Sequence, residues 1–307
     1  MNSSIKILDQ TWSLRPLNKT TGKGNSVSQT GMAGPLPSRV ISVTSGKGGV
    51  GKTALVGNIA VAMSRSGKKV LIIDADLGLA NIDVVYGLAP KCNLNHFFKG
   101  QISLNDIILE GPEGVRILAA GSGFQQVTQL TPVQKVQFME GLDQLEEKYD
   151  VVLIDTGAGI SENVTYFNAA AQEVLVVTTS DPASITDAYS LMKVLYLQFQ
   201  QRDFQLVVNI VQDADEGFEV FRRLTAVANR CLDISINYLG SIPFDKNMRE
   251  SLRRQQPFIQ LYPEGRVSAS FNSLAEGLLN LPLDLCLRGS LQFFWKNYLA
   301  ISQAEGS

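Results

Sequence analysis

The chain is poor in the residues that most metal and redox centres need. Its 307 residues include one histidine, His96, and three cysteines, Cys92, Cys231 and Cys286, which lie far apart with no C-x-x-C pair. That spacing gives no basis for a disulfide framework or a zinc or iron–sulfur site, and a lone histidine disfavours a Ser-His-Asp mechanism. Charge is also sparse, at 18% of residues, with 27 Lys+Arg against 29 Asp+Glu and a net charge of −2. Tight sequence-independent nucleic-acid binding runs on phosphate neutralisation, so no direct nucleic-acid partner is expected. The first residues contain no apolar signal-like region, and no run approaches the ~18 apolar residues of a spanning helix. A cytoplasmic location is the expectation.

What is present is a generous core, with 45% hydrophobic residues. A chain of this length buries about 75% of its unfolded surface and needs no staple. Organisation follows from composition. Residues 18–38 are rich in Gly, Ser, Thr and Pro and read as a flexible linker. The segment before them, 1–17, has Ile5, Leu8, Trp12 and Leu14 but is too short to fold alone. Residues 1–38 hold Lys6, Arg15, Lys19 and Lys23 against Asp9, a net +3, so the remaining chain carries −5. A main domain over 39–285 and a C-terminal segment over 286–307 complete the division.

From Arg39 short β-branched apolar runs alternate with helical stretches. The expected strands are 39–45, 69–74, 115–120, 150–155, 173–179, 204–210 and a short one near 238–242, most of them apolar on both faces, as buried parallel strands are. Helices are expected at 52–66, 131–147, 182–201 and 215–231. Thr131-Pro132 and Asp181-Pro182 each place a capping residue before a first-turn proline. This alternation predicts an α/β fold with a doubly wound, mostly parallel sheet flanked by helices.

Directly after the first strand comes Gly46-Lys47-Gly48-Gly49-Val50-Gly51-Lys52-Thr53, then an apolar helix. This is G-x-x-x-x-G-K-[ST] in its strand–loop–helix setting. Glycines let backbone N–H groups converge on phosphate, and the helix N-terminus adds partial positive charge. Lys52 can reach the β- and γ-phosphates, and the Thr53 hydroxyl can ligate Mg²⁺. Two further strands end in carboxylates, at Asp74 with Asp76 close behind, and at Asp155. An Asp ending VVLID suits a Mg²⁺-bound water, although Asp also commonly caps the element that follows.

Lys47 is unusual at the second position of such a loop. GKGGVGKT resembles the deviant Walker A motif of the MinD/ParA ATPase family, whose early lysine reaches across a dimer interface to the partner's nucleotide. The resemblance implies ATP and Mg²⁺ as cofactors and an ATP-dependent homodimer. DADLGLANID resembles the family's switch I, which implies that Asp76 activates the attacking water and Asp74 supports the nucleotide site. DTGAGI resembles switch II, with Asp155 and Gly159 satisfying its DxxxG pattern. Asn209 and Pro243 match positions where the family contacts adenine; each is equally an ordinary strand-end residue.

Within the family the chain resembles the flagellar number regulators of the FlhG/FleN/YlxH branch from about residue 39 onward, through DADLGLANIDVVYGLAP, SDPASITDAYSLMK and GSLQFFWKNYL. Asp9-Gln10-Thr11-Trp12-Ser13-Leu14-Arg15 resembles the DQAxxLR motif that activates the GTPase FlhF, with Thr11 in place of the small alanine. Asp9, Gln10, Leu14 and Arg15 are the partner-binding candidates this implies, and a FleQ-type transcriptional regulator is the second implied partner. Near the C-terminus Leu291, Phe294, Trp295, Tyr298 and Leu299 fall on one helical face. That face suits either weak peripheral contact with the cell membrane or packing on the core. A ParA-like ATPase that positions cargo on DNA is the alternative function.

Overall fold

Most of the strongly apolar segments become strands of one sheet. The computed structural model describes residues 38–76, 81–119, 130–145 and 148–282. Its strands are β1 (Arg39–Ser45), β2 (Val70–Ala75), β3 (Ile108–Glu110), β4 (Arg116–Leu118), β5 (Val151–Ala158), β6 (Glu173–Thr178), β7 (Asp203–Val211) and β8 (Ser235–Pro243). Their order is β3-β4-β2-β5-β1-β6-β7-β8. All neighbouring pairs are parallel except β3 with β4 at one edge. The sheet is therefore the expected doubly wound one, with β1 near its centre. The antiparallel β3 is absent from the sequence reading because three half-exposed residues carry no periodicity.

The longer helices are α1 (Lys52–Arg65), α4 (Pro132–Asp143), α5 (Glu162–Ala170), α6 (Pro182–Phe199), α7 (Ala214–Cys231), α8 (Asn247–Arg254) and α10 (Arg266–Asn280). Short turns of helix form α2 (Ile82–Tyr86), α3 (Leu94–Phe98) and α9 (Phe258–Leu261). The two proline signals act as read. Thr131 caps α4 in a reciprocal box with Gln134, and the Asp181 carboxylate accepts from the Ala183 N–H at 3.2 Å to cap α6. Helix α4 stops at Asp143, four residues short of its expected end, with residues 146–147 outside the described set.

Two layers enclose the sheet. Ile41 and Val43 of β1 face a core built with Leu55, Ile59 and Met63 of α1 and Phe271, Leu274 and Leu278 of α10. On the opposite face, Val152 and Ile154 pack with Phe138 of α4 and Phe167 of α5. Farther along that face, Val176 and Leu206 pack with Leu191 and Leu195 of α6 and Leu224 of α7.

Arg39 fastens the start of β1 to the end of α10. Its guanidinium donates to the carbonyls of Leu278 and Leu281 and pairs with Glu173 at 3.0 Å. Burial pushes the Glu173 carboxyl up from 4.5 to about 7, partly offset by Arg39. The folded chain thus holds a proton that the unfolded chain has released between those values, so stability falls as pH rises through that window. The expected loss is roughly 3 kcal/mol. Glu173→Gln should flatten this slope between pH 5 and 7.5 in urea unfolding; an unchanged slope would assign the effect elsewhere.

Candidate functional site

Open α/β sheets bind ligand at the carboxyl ends of their strands, where the helix layers diverge. Here β1 ends in the loop 46–51 and is flanked by β5 and β6, which feed helices on the other face. Gly49 and Gly51 take φ values of 78° and 88°, a left-handed backbone that glycine adopts without strain. Gly51 leads straight into α1, which turns its first N–H groups toward the loop.

Gly46 has a different reason to be glycine. A Cβ there would sit 2.1 Å from the backbone carbon and oxygen of Asp187 in α6. Gly46→Ala should force the loop and α6 apart and lower stability by about 1–3 kcal/mol, with loss of nucleotide affinity. Thermal unfolding and a fluorescent-nucleotide titration measure both effects; a wild-type melting temperature would contradict the packing argument.

Around the loop stand the predicted charged residues. Lys52 is only 8% exposed. Asp74 and Asp155 lie directly across from each other on β2 and β5, both 1% exposed. The Asp74 carboxylate accepts from the N–H groups of Asp76, Asn81 and Ile82 at 3.0–3.2 Å, so it ties the end of β2 to the start of α2. Burial pushes its carboxyl up, the Asp155 charge adds to the rise, and the three N–H groups pull it back.

Asp155 is built differently. Both carboxylate oxygens are buried, and neither has a hydrogen-bond partner among the described residues. Burial pushes this carboxyl up; the Lys52 ammonium and the nearby Thr53 hydroxyl hold it down, while Asp76 adds to the rise. A buried carboxylate with no hydrogen bond of good geometry, set beside a hydroxyl, fits a cation. Thr53 and Asp155 are therefore the residues that suit Mg²⁺. No cluster of three or more His, Cys, Asp or Glu ligands exists among the described residues. An ion held here would complete its shell with phosphate and water oxygens, as Mg²⁺ does.

Asp76 is half-buried, its carboxyl carbon 3.7 Å from the position a Cβ on Gly157 would occupy. It thus lies against switch II, at the sheet end that holds Asp155. Lys47 points elsewhere. Its ammonium pairs at 2.5 Å with Asp181, the cap of α6, and the two side chains are 42% and 48% exposed. The hydrogen bond to Asp181 and that residue's charge raise the Lys47 pKa.

The two adenine candidates lie on adjacent strands, with Asn209 opposite Ile242 and Pro243 opposite Val211. The Asn209 amide donates to the Val50 carbonyl at 2.7 Å, and its oxygen accepts from the Ile210 N–H at 2.9 Å. In this state its side chain braces the phosphate loop. Asp9, Gln10, Leu14, Arg15, Leu291, Phe294, Trp295, Tyr298 and Leu299 lie outside the described residues. Sequence reasoning passed over Asp181 as a partner of Lys47, since 134 residues separate them and only the α6 cap was legible.

A doubly wound sheet, a two-lysine phosphate loop after its central strand and carboxylates ending two neighbouring strands define a P-loop ATPase of the MinD/ParA class. The comparisons agree. A family model described as an AAA domain matches residues 38–206. The antiactivator FleN of Pseudomonas aeruginosa is 41% identical over 84% of this chain and 92% of its own. The flagellum site-determining protein YlxH of Helicobacter pylori is 31% identical over 91% of this chain and 90% of its own. Among solved structures, the septum site-determining protein MinD of Pyrococcus horikoshii complexed with Mg-ADP is 26% identical. It superposes with a TM-score of 0.63 over 80% of this chain and 97% of that one. The chain belongs to the AAA-domain family of MinD/ParA-type ATPases, in the FlhG/FleN branch that holds the flagellar regulators.

Proposed function

We propose that the protein is an ATP-gated, dimer-forming switch that sets flagellar number or placement. The observation that carries the nucleotide chemistry is the buried Asp155 carboxylate of β5, whose oxygens make no hydrogen bond of good geometry, beside Lys52 and Thr53 at the end of the phosphate loop. Lys52 and the loop N–H groups bind the β- and γ-phosphates. Thr53 and Asp155 hold Mg²⁺, which when bound neutralises charge on the phosphate oxygens. Asp76 orients a water for in-line attack on the γ-phosphorus; the bond to the β-γ bridging oxygen breaks, leaving ADP and phosphate. Lys47 leaves Asp181 and crosses to the partner's nucleotide, so the dimer exists only while ATP does.

The output runs through partners. The N-terminal segment, with Asp9, Gln10, Leu14 and Arg15, engages an FlhF-type GTPase, and the dimer face engages a FleQ-type regulator. Peripheral membrane contact through Leu291, Phe294, Trp295, Tyr298 and Leu299 is part of this reading. Among the described residues no helix is long and apolar enough to cross a membrane. The DNA-riding alternative has less support, because several exposed arginines are matched locally: Arg222 and Arg223 pair with Glu219, and Arg254 with Glu250. Supplying this chain to a flagellated bacterium that lacks its own FleN-type regulator should restore flagellar number. Unchanged flagellation together with salt-sensitive, ATP-dependent binding to random duplex DNA would favour the alternative.

A further inference from the structure

Ser42 and Thr44 are out of place in the central strand. Both are fully buried in β1, where Ser42 lies between Ile154 of β5 and Val174 of β6 and Thr44 lies beside Val176. Since Ile41 and Val43 face the α1 side, these two hydroxyls face α5. There they meet Asn168, itself fully buried in the last turn of that helix. The Asn168 oxygen accepts from the Ser42 hydroxyl at 2.8 Å, and its amide donates to the Thr44 hydroxyl at 3.1 Å and the Val164 carbonyl at 2.7 Å.

Position in the chain gives this network its meaning. Helix α5 begins three residues after Gly159, the end of switch II, and β1 runs directly into the phosphate loop. The same strand holds switch II by its backbone: the Thr156 hydroxyl donates to the Val43 carbonyl at 3.1 Å and the Gly159 N–H to the Ser45 carbonyl at 2.9 Å. Replacing a buried hydrogen-bonded set by apolar groups of the same shape is close to neutral for stability. What an amide and two hydroxyls add over such packing is direction, because they bond in one register only.

We infer that Asn168 is a positioning residue: with Ser42 and Thr44 it locks α5 to the phosphate-loop strand, so that switch II keeps a fixed register against Lys52 and Thr53. The inference rests on the reading of this site as an ATP-hydrolysing one. Three proteins test it: wild type, Asn168→Ala, and the apolar triple Ser42→Ala/Thr44→Val/Asn168→Leu. The triple should unfold at a urea midpoint near wild type. Its kcat for ATP should fall at least about tenfold while KM stays within about threefold, as a misplaced catalytic group predicts. In nucleotide-free protein its Gly159 amide should exchange with deuterium at least about tenfold faster.

A triple variant with wild-type kcat and wild-type Gly159 exchange overturns the inference. So does a loss of kcat in Asn168→Ala that follows its loss of stability, with Gly159 exchange unchanged. If the triple does not fold, Thr44→Val, which removes one acceptor of the Asn168 amide, is read by the same two measurements. A wild-type protein that releases no phosphate from ATP would sink the reading of the site, while the exchange measurement still decides the role of Asn168.

Discussion

Replacing Lys52 by alanine should abolish ATP binding and turnover together, the largest single effect expected for this protein. Lys52 is almost fully buried at the start of α1, beside the Asp155 carboxylate. Burying an ammonium costs several kcal/mol unless an anion accompanies it. The Asp155 charge lies nearby without forming an ion pair, and in the proposed site nucleotide phosphates would supply the anion. Without Lys52, Asp155 loses the cation that most offsets its burial, and the site loses a buried ammonium. We expect kcat/KM for ATP to drop at least about a hundredfold, with ATP affinity falling in a calorimetric titration. The urea midpoint should move little, because the apo fold loses a desolvated charge as well as a contact. Wild-type affinity in Lys52→Ala would remove this residue from the site.

Asp76→Ala is expected to separate binding from chemistry. The side chain lies against Gly157 at the junction of the two switch segments, while Asp74 and Asp155 sit deeper, at the sheet. Removing it leaves Lys52, Thr53 and Asp155 in place, so ATP affinity should stay within about threefold. Loss of a group that orients or deprotonates the attacking water costs roughly 10²–10⁴ in rate. ATP should then persist, and with it any assembly that depends on ATP. Phosphate release against time, read beside nucleotide affinity, checks both halves. Undiminished phosphate release would mean that another group positions the water.

How much of this was legible in the sequence follows from where each piece of chemistry is encoded. The phosphate loop needs consecutive residues between a strand and a helix, so Gly46–Thr53 carried its own context. Strands β1, β5 and β7 are rich in β-branched apolar residues, and the sequence locates their ends to within three residues. Helix α5 was not read, because Asn163, Thr165 and Asn168 interrupt its apolar face. All three are buried and serve as hydrogen-bonding groups, to Leu130, Ser161 and Ser42 among others. Helix α10 did carry a periodic signal, in Val267, Phe271, Leu274 and Leu278, but it lies past the last strand, where alternation no longer guides the eye.

The site divides the same way. Residue types at the carboxylate strand ends were legible, but the pairing of Asp74 with Asp155 depends on β2 and β5 being neighbours, which only topology supplies. Asn209 is legible as a strand-end residue that either matches an adenine-contact position of the family or simply ends its strand. Its bond to the Val50 carbonyl spans 159 residues and could not be read from either segment. Lys47 is the clearest case. Its position in the loop suggested an unusual role, and the structure adds that it rests on Asp181, exposed and held by a surface ion pair. Solvent screens such pairs, so they contribute little to stability. Lys47 can therefore leave Asp181 at little cost, as the proposed crossing to a partner's nucleotide requires.

That exchange is the core of the account, and one measurement addresses it most directly: size-exclusion chromatography with multi-angle light scattering, run in ADP, in ATP, and in ATP with Lys47→Ala. The wild type should elute near its 33.5 kDa chain mass in ADP and at about twice that in ATP. Lys47→Ala should bind ATP and remain a monomer. A wild type that stays monomeric in ATP, or a Lys47→Ala protein that dimerises as readily as wild type, would contradict the account.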